Sequence, residues 1–199
     1  IDIPFRALKL KYPVSVECSV SSLFSKMWEV KHQSIGCPAS SYVTINFKPT
    51  TLNKNPIKLE WYDGGLRPSY PSLIPADTYL GGKRNTNGVI MIGEDGIITT
   101  DVYGKNPRLI TKDKEVITPK IKNLPKDDWG HQRMWIDAIK DGYGSSKHKM
   151  LTSSFDYAGP MTETVLMGNI AIRSYLLNKN GNPDSIRITG KNRNSYYGR

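Results

Sequence analysis

Residues 56–68 read PIKLEWYDGGLRP. Ile57, Leu59 and Trp61 alternate with Lys58, Glu60 and Tyr62, so an extended chain puts the first three on one face and the second three on the other. Asp63 followed by Gly64–Gly65 suits a turn, because Asp bonds its own following backbone and glycine accepts positive φ. The stretch therefore reads as a half-buried strand that ends in a tight turn. Half-buried strands of this kind belong to antiparallel sheets, whereas parallel sheets are covered on both faces.

The same pattern recurs on both sides. VSVECSVS (14–21) alternates cleanly, and KMWEVKH (26–32) and SYVTINFK (41–48) are β-branched or aromatic runs bounded by turn residues. GVIMIGEDGIITTD (88–101) predicts a hairpin around Glu94–Asp95–Gly96, with positive φ at the glycine. RLIT (108–111), EVITP (115–119) and SIRITG (185–190) are short strand candidates. The twenty residues after Gly64 hold Pro68, Pro71 and Pro75 and show no periodicity; loops of that length are often functional.

Helices frame these strands. IPFRALKLKY (3–12) holds a short one, ended at KYP because the residue before a proline leaves the α region. DDWGHQRMWIDAIKDG (127–142) opens with acids and closes with Lys140 and Gly142, and its Gln132, Trp135, Ile136 and Ile139 form a stripe suited to a core. GPMTETVLMGNIAIRSYLL (159–177) places Pro160 at the first helical position and is apolar almost all round, which predicts burial. Glu163 then falls in the first turn, favoured by the helix dipole. Strands and helices do not alternate. The expected architecture is α+β: an open, mainly antiparallel sheet with helices packed on one face.

The chain has 199 residues, 38% hydrophobic and 23% charged, which fits one globular domain over 1–199. No apolar run approaches the ~18 residues of a membrane span, so no membrane partner is expected. The net charge of +10 raises the question of nucleic acid. Lysines and arginines are scattered, however, and no RNA-binding signature or zinc-finger spacing occurs, so solvated surface is the expectation and nucleic acid is not.

Several chemistries leave no trace. There is no G-x-G-x-x-G after a strand, no Walker loop and no nucleophile elbow. Cys18 alternates with Val16 and Val20 and reads as a small core residue; with Cys37 it makes neither a metal site nor a disulfide framework. His32, His131 and His148 are far apart and belong to no metal-ligand pattern.

The candidates for ligand contact lie at strand and helix ends. Trp61, Asp63 and Arg67 supply an aromatic face, a carboxylate and a guanidinium, the groups that recognise sugars. Their stretch fits a strand-ending turn and a ligand-facing loop alike, with Tyr62 assigned to packing. His131, in the first turn of its helix, is either a surface histidine or a polar group aimed into a cleft. Phe155 and Asp156, in SSFDYAGPMTE (153–163), precede a helix on what reads as a connecting loop.

Five stretches occur in order: IDIPFRALKLKYPVSVECSVS, KLEWYDGGLRP, GVIMIGEDGIITT, HQRMWIDAIKDG and FDYAGPMTETVLMGNIAIRS. Together they resemble the C-terminal domain of the Gfo/Idh/MocA oxidoreductases (the glucose–fructose oxidoreductase and inositol dehydrogenase family), in its Bacteroidetes form, over nearly the whole chain up to about residue 177. The resemblance implies an open antiparallel sheet that forms a sugar or polyol site and a homodimer through its free face. It also implies an N-terminal Rossmann domain that binds NAD or NADP and is absent from this chain. The family's catalytic lysine belongs to that domain. Of its D-x-G-x-H-x-I-D motif only Ile1–Asp2 matches, so the chain carries none of the catalytic groups and binds no cofactor itself. The alternatives within this expectation are an NAD-dependent glycosidase-like member and a non-enzymatic basic binding module. The compartment is not legible.

Overall fold

The computed structural model describes residues 1–27, 29–31, 36–75, 78–80, 87–113, 116–117, 129–177 and 188–189. The chain is α+β, with open antiparallel sheets and helices, and it divides into two compact units: residues 1–71 with 161–199, and residues 72–160.

In the first unit, β1 (Ser15–Val20), β4 (Ser41–Phe47), β5 (Ile57–Tyr62) and β10 (Ile188–Thr189) form one sheet in the order β10-β1-β4-β5, every pair antiparallel. Alternation along the strands sets its two faces. Val16 and Cys18 of β1 lie opposite Ile45 and Val43, which in turn face Leu59 and Trp61, and Phe47 faces Ile57. Val16, Cys18, Val43, Ile45 and Phe47 are buried. Val16, Val43, Ile45 and Phe47 each contribute roughly 1.5–3 kcal/mol when fully buried.

Both helices of the unit pack on that face. Phe5 of α1 (Asp2–Ala7) meets Phe47 edge-on, with ring centroids 6.5 Å apart. Helix α4 (Phe155–Leu177) buries Thr164, Met167, Gly168 and Ala171, spaced i, i+3, i+4 and i+7, and a Cβ added at Gly168 would lie 3.6 Å from Val43 Cγ1. The opposite sheet face is polar, carrying Glu17, Thr44, Asn46, Lys58 and Glu60 with Tyr42 and Tyr62.

Between β1 and β4 the chain makes a separate two-stranded ribbon, β2 (Leu23–Lys26) and β3 (Glu29–Lys31). Its root is tied by Ser21 N donating to Ser40 O and Ser40 N donating to Ser21 Oγ, both at 3.0 Å.

The second unit holds a meander, β6 (Gly88–Ile92), β7 (Gly96–Asp101), β8 (Arg108–Thr111) and β9 (Val116–Ile117), in sequential antiparallel order. Ile97 and Ile110 are cross-strand partners and buried. It also contains α2 (Gly130–Asp141), the short α3 (Ser146–Lys149) and the first turn of α4.

Several boundaries differ from expectation. Helix α1 ends at Ala7 rather than running to residue 12, because Lys9 takes φ +51 and breaks the turn before the proline is reached. Gly96 is not among the residues with positive φ. Glycine stands there because a Cβ would lie 2.5 Å from Ile110 O on β8. Helix α4 starts at Phe155, so Pro160 lies inside it rather than at its first position, and Asp156 rather than Glu163 is the first-turn acid that meets the helix dipole. Nor is α4 buried all round, since Val165 and Leu166 remain exposed. The largest reversal is α2, where only Ala138 is buried and the expected core stripe is exposed. The acids Asp127 and Asp128 lie outside the described residues.

Candidate functional site

The turn after β5 is built around Asp63. Gly64 and Gly65 take φ +62 and +92, and Leu66 N donates to Asp63 O at 3.2 Å, the pattern of a type I′ turn. The Asp63 carboxylate faces back onto the start of β4. Ser41 N donates to Oδ1 at 2.6 Å and Ser41 Oγ to Oδ2 at 2.8 Å, while Asp63 N donates to Ser41 O at 3.1 Å. Trp61 adds its indole N–H, 3.2 Å from Oδ2. A Cβ on Gly64 would come within 2.0 Å of Ala39 O, so the turn is pressed against the segment leading into β4.

Two things follow for the candidate residues here. Asp63 spends its acceptors on local donors: it closes the sheet edge and fixes the indole of Trp61. Trp61 therefore shows a partly exposed ring in an orientation set by its own N–H bond. Arg67 is exposed, four residues beyond Asp63 in the proline-containing loop. Ser41, the partner that makes sense of Asp63, was not singled out from sequence; a serine opening a strongly alternating strand is the only signal it gives.

Trp61 and Tyr62 point to opposite faces, since Trp61 pairs with Val43 and Tyr62 with Tyr42. Tyr62 is a packing residue: its ring lies 4.8 Å from that of Tyr42, tilted by 38°. Tyr42 Oη donates to Glu60 Oε1 at 2.5 Å and Lys58 Nζ lies 2.8 Å from the same oxygen. These partners, Lys58 first and then Tyr42, hold the Glu60 carboxyl below its ordinary range, and Glu60 in turn raises Lys58. Burial, then the Glu60 charge and Tyr42, push the Tyr62 phenol up to about 12.

The other candidates belong to the second unit. His131 sits in the first turn of α2, with Nε2 3.5 Å from Ser153 Oγ, at the outer limit of a hydrogen bond. Phe155 and Asp156 are exposed and occupy the first turn of α4, not a connecting loop. Within each unit the structure thus brings together Trp61 with Asp63 and His131 with Ser153.

Every strand pair among the described residues is antiparallel, so these residues do not form the parallel βαβ cradle that holds a dinucleotide pyrophosphate. Among the described residues no three His, Cys, Asp or Glu side chains gather into a possible metal site, and no helix is long and apolar enough to cross a membrane. A scan against protein-family models finds no match, and a search of curated proteins finds no similar sequence.

Proposed function

We propose that this chain is the substrate-binding and oligomerisation domain of an NAD(P)-dependent sugar or polyol oxidoreductase. The observation that carries the reading is the ordered set of five stretches, from IDIPFRALKLKYPVSVECSVS to FDYAGPMTETVLMGNIAIRS. The open antiparallel sheets with helices, which that resemblance implies, support it. A nicotinamide held by a separate nucleotide-binding domain would supply the hydride chemistry at a substrate C–H, and a base of that whole enzyme would take the hydroxyl proton. This chain's part is recognition. Trp61 offers an aromatic face for the apolar side of a sugar ring, and Arg67 a guanidinium for its hydroxyls or an acidic substituent. Asp63 serves by holding Trp61. His131, Phe155 and Asp156 are the contact candidates of the second unit.

Tryptophan fluorescence during titration with hexoses, aminosugars and inositols tests this. Saturable quenching by at least one of them, weakened tenfold or more in Arg67→Ala, is the expected result. No response to any polyol, together with steeply salt-dependent binding of a DNA oligonucleotide, would replace this reading with that of a basic binding module.

A further inference from the structure

The charges around the turn after β5 are not equally available. The Asp63 carboxylate takes donors from Ser41 N at 2.6 Å, Ser41 Oγ at 2.8 Å and Trp61 Nε1 at 3.2 Å. The chain itself thus fills most of its roughly four lone-pair sites, and these donors offset its charge. Lys58 and Glu60, on the opposite face of β5 from Trp61, lie 2.8 Å apart and neutralise each other. Arg67 stands exposed beyond the turn and forms no ion pair among the described residues. Leu66 N donates to Asp63 O, so the chain reverses at Gly64–Gly65 and returns Leu66 and Arg67 towards the end of β5. Trp61 and Leu66 are 44% and 45% exposed, which gives the turn apolar surface as well as a guanidinium.

We propose that this turn selects a sugar carboxylate, of the uronate class, over neutral and amino sugars. The inference rests on the functional reading above and names the ligand class for the same site. Sugar hydroxyls donate as well as accept, so a site for a neutral sugar offers acceptors too, whereas an ionised carboxylate only accepts. Arg67 brings donors and no acceptor, and the carboxylate at the turn is already engaged by Ser41 and Trp61. A sugar carboxylate matches the guanidinium through two parallel charge-assisted bonds, while the C–H face of the ring covers the exposed indole. That indole is oriented in advance by its own N–H bond to Asp63, which lowers the cost of ordering it when a ligand arrives. Asp63 is therefore a positioning residue. An amino sugar, in contrast, sets its ammonium against Arg67. The chain's net charge of +10 acts in the same direction, favouring the approach of an anion.

Isothermal titration at fixed ionic strength tests the proposal, with glucuronate and galacturonate each set against its neutral hexose, and with glucosamine and acetate as further probes. At least one uronate is expected to bind about tenfold or more tighter than its hexose, glucosamine or acetate. Arg67→Gln is expected to abolish that preference, and Arg67→Lys, which keeps the charge without the planar fork, to retain part of it. Arg67 is exposed, so both variants are expected to fold, and unchanged far-UV spectra verify this. A hexose bound as tightly as its uronate, or a preference that Arg67→Gln leaves unmoved, overturns the acidic ligand and leaves the sugar site standing. Acetate bound as tightly as the uronate shows a simple anion contact and overturns it as well. No binding of any sugar overturns this inference together with the functional reading.

Discussion

Asp63 and Ser41 hold each other across the end of the β4–β5 pair through three hydrogen bonds, two to the carboxylate at 2.6 and 2.8 Å and one between backbones at 3.1 Å. Ser41 is 1% exposed, so its hydroxyl has no ready exchange with water. Removing the carboxylate leaves that hydroxyl and the Ser41 amide without acceptors. Asp63→Ala is expected to cost about 2 kcal/mol, and Asp63→Asn, which keeps one acceptor oxygen, about half that, in urea denaturation. A neutral Asp63→Ala would show that the bonds add nothing to stability.

The two glycines that follow are required for different reasons. Gly64→Ala meets both a positive φ and the backbone of Ala39–Ser40, whereas Gly65→Ala meets the positive φ alone, with nothing within 4 Å. Gly65→Ala should cost about 1 kcal/mol and Gly64→Ala clearly more. Equal losses in thermal melts would contradict the close approach.

Tyr62 carries a pH signature. Its phenol is raised to about 12 in the folded chain, above its unfolded value near 10. The folded state therefore holds the proton more tightly. The stabilisation is complete below pH ~10 and is lost as pH rises through the folded value. Absorbance at 295 nm should show a late-ionising tyrosine that Tyr62→Phe removes. Glu60 has the opposite sign: its lowered carboxyl contributes stability above the ordinary carboxylate range, lost as acid protonates it. Because the pair is exposed, that loss is small.

The two thiols separate by burial. Cys18 is 2% exposed and burial pushes it up to about 11, while Cys37 is exposed. A chromogenic disulfide at pH 8 should titrate one thiol within minutes and the second only in denaturant. Two fast thiols would show that β1 is not held in the core.

Strand faces were legible from sequence because alternation is a local property: Val16, Cys18, Val43, Ile45 and Phe47 lie on the side their spacing assigns. Helix burial was not. The stripe of α2 states only that one side is apolar, and what covers it is a matter of tertiary or quaternary packing. The start of α4 was missed since a proline reads as a first position, although the chain accommodates Pro160 in the second turn. At the candidate site, the sequence offered Asp63 both as a turn residue and, with Trp61 and Arg67, as a ligand group. Folding separates the two charged groups, engaging the carboxylate with Ser41 and Trp61 while Arg67 stays exposed.

Thermal unfolding of the chain with NAD, with NADP and with a panel of sugars and polyols tests the functional reading most directly. The account predicts that a sugar or polyol raises the midpoint in a concentration-dependent way and that neither nucleotide alone moves it. Stabilisation by a nucleotide in the absence of any sugar, with no response to the panel, would contradict it.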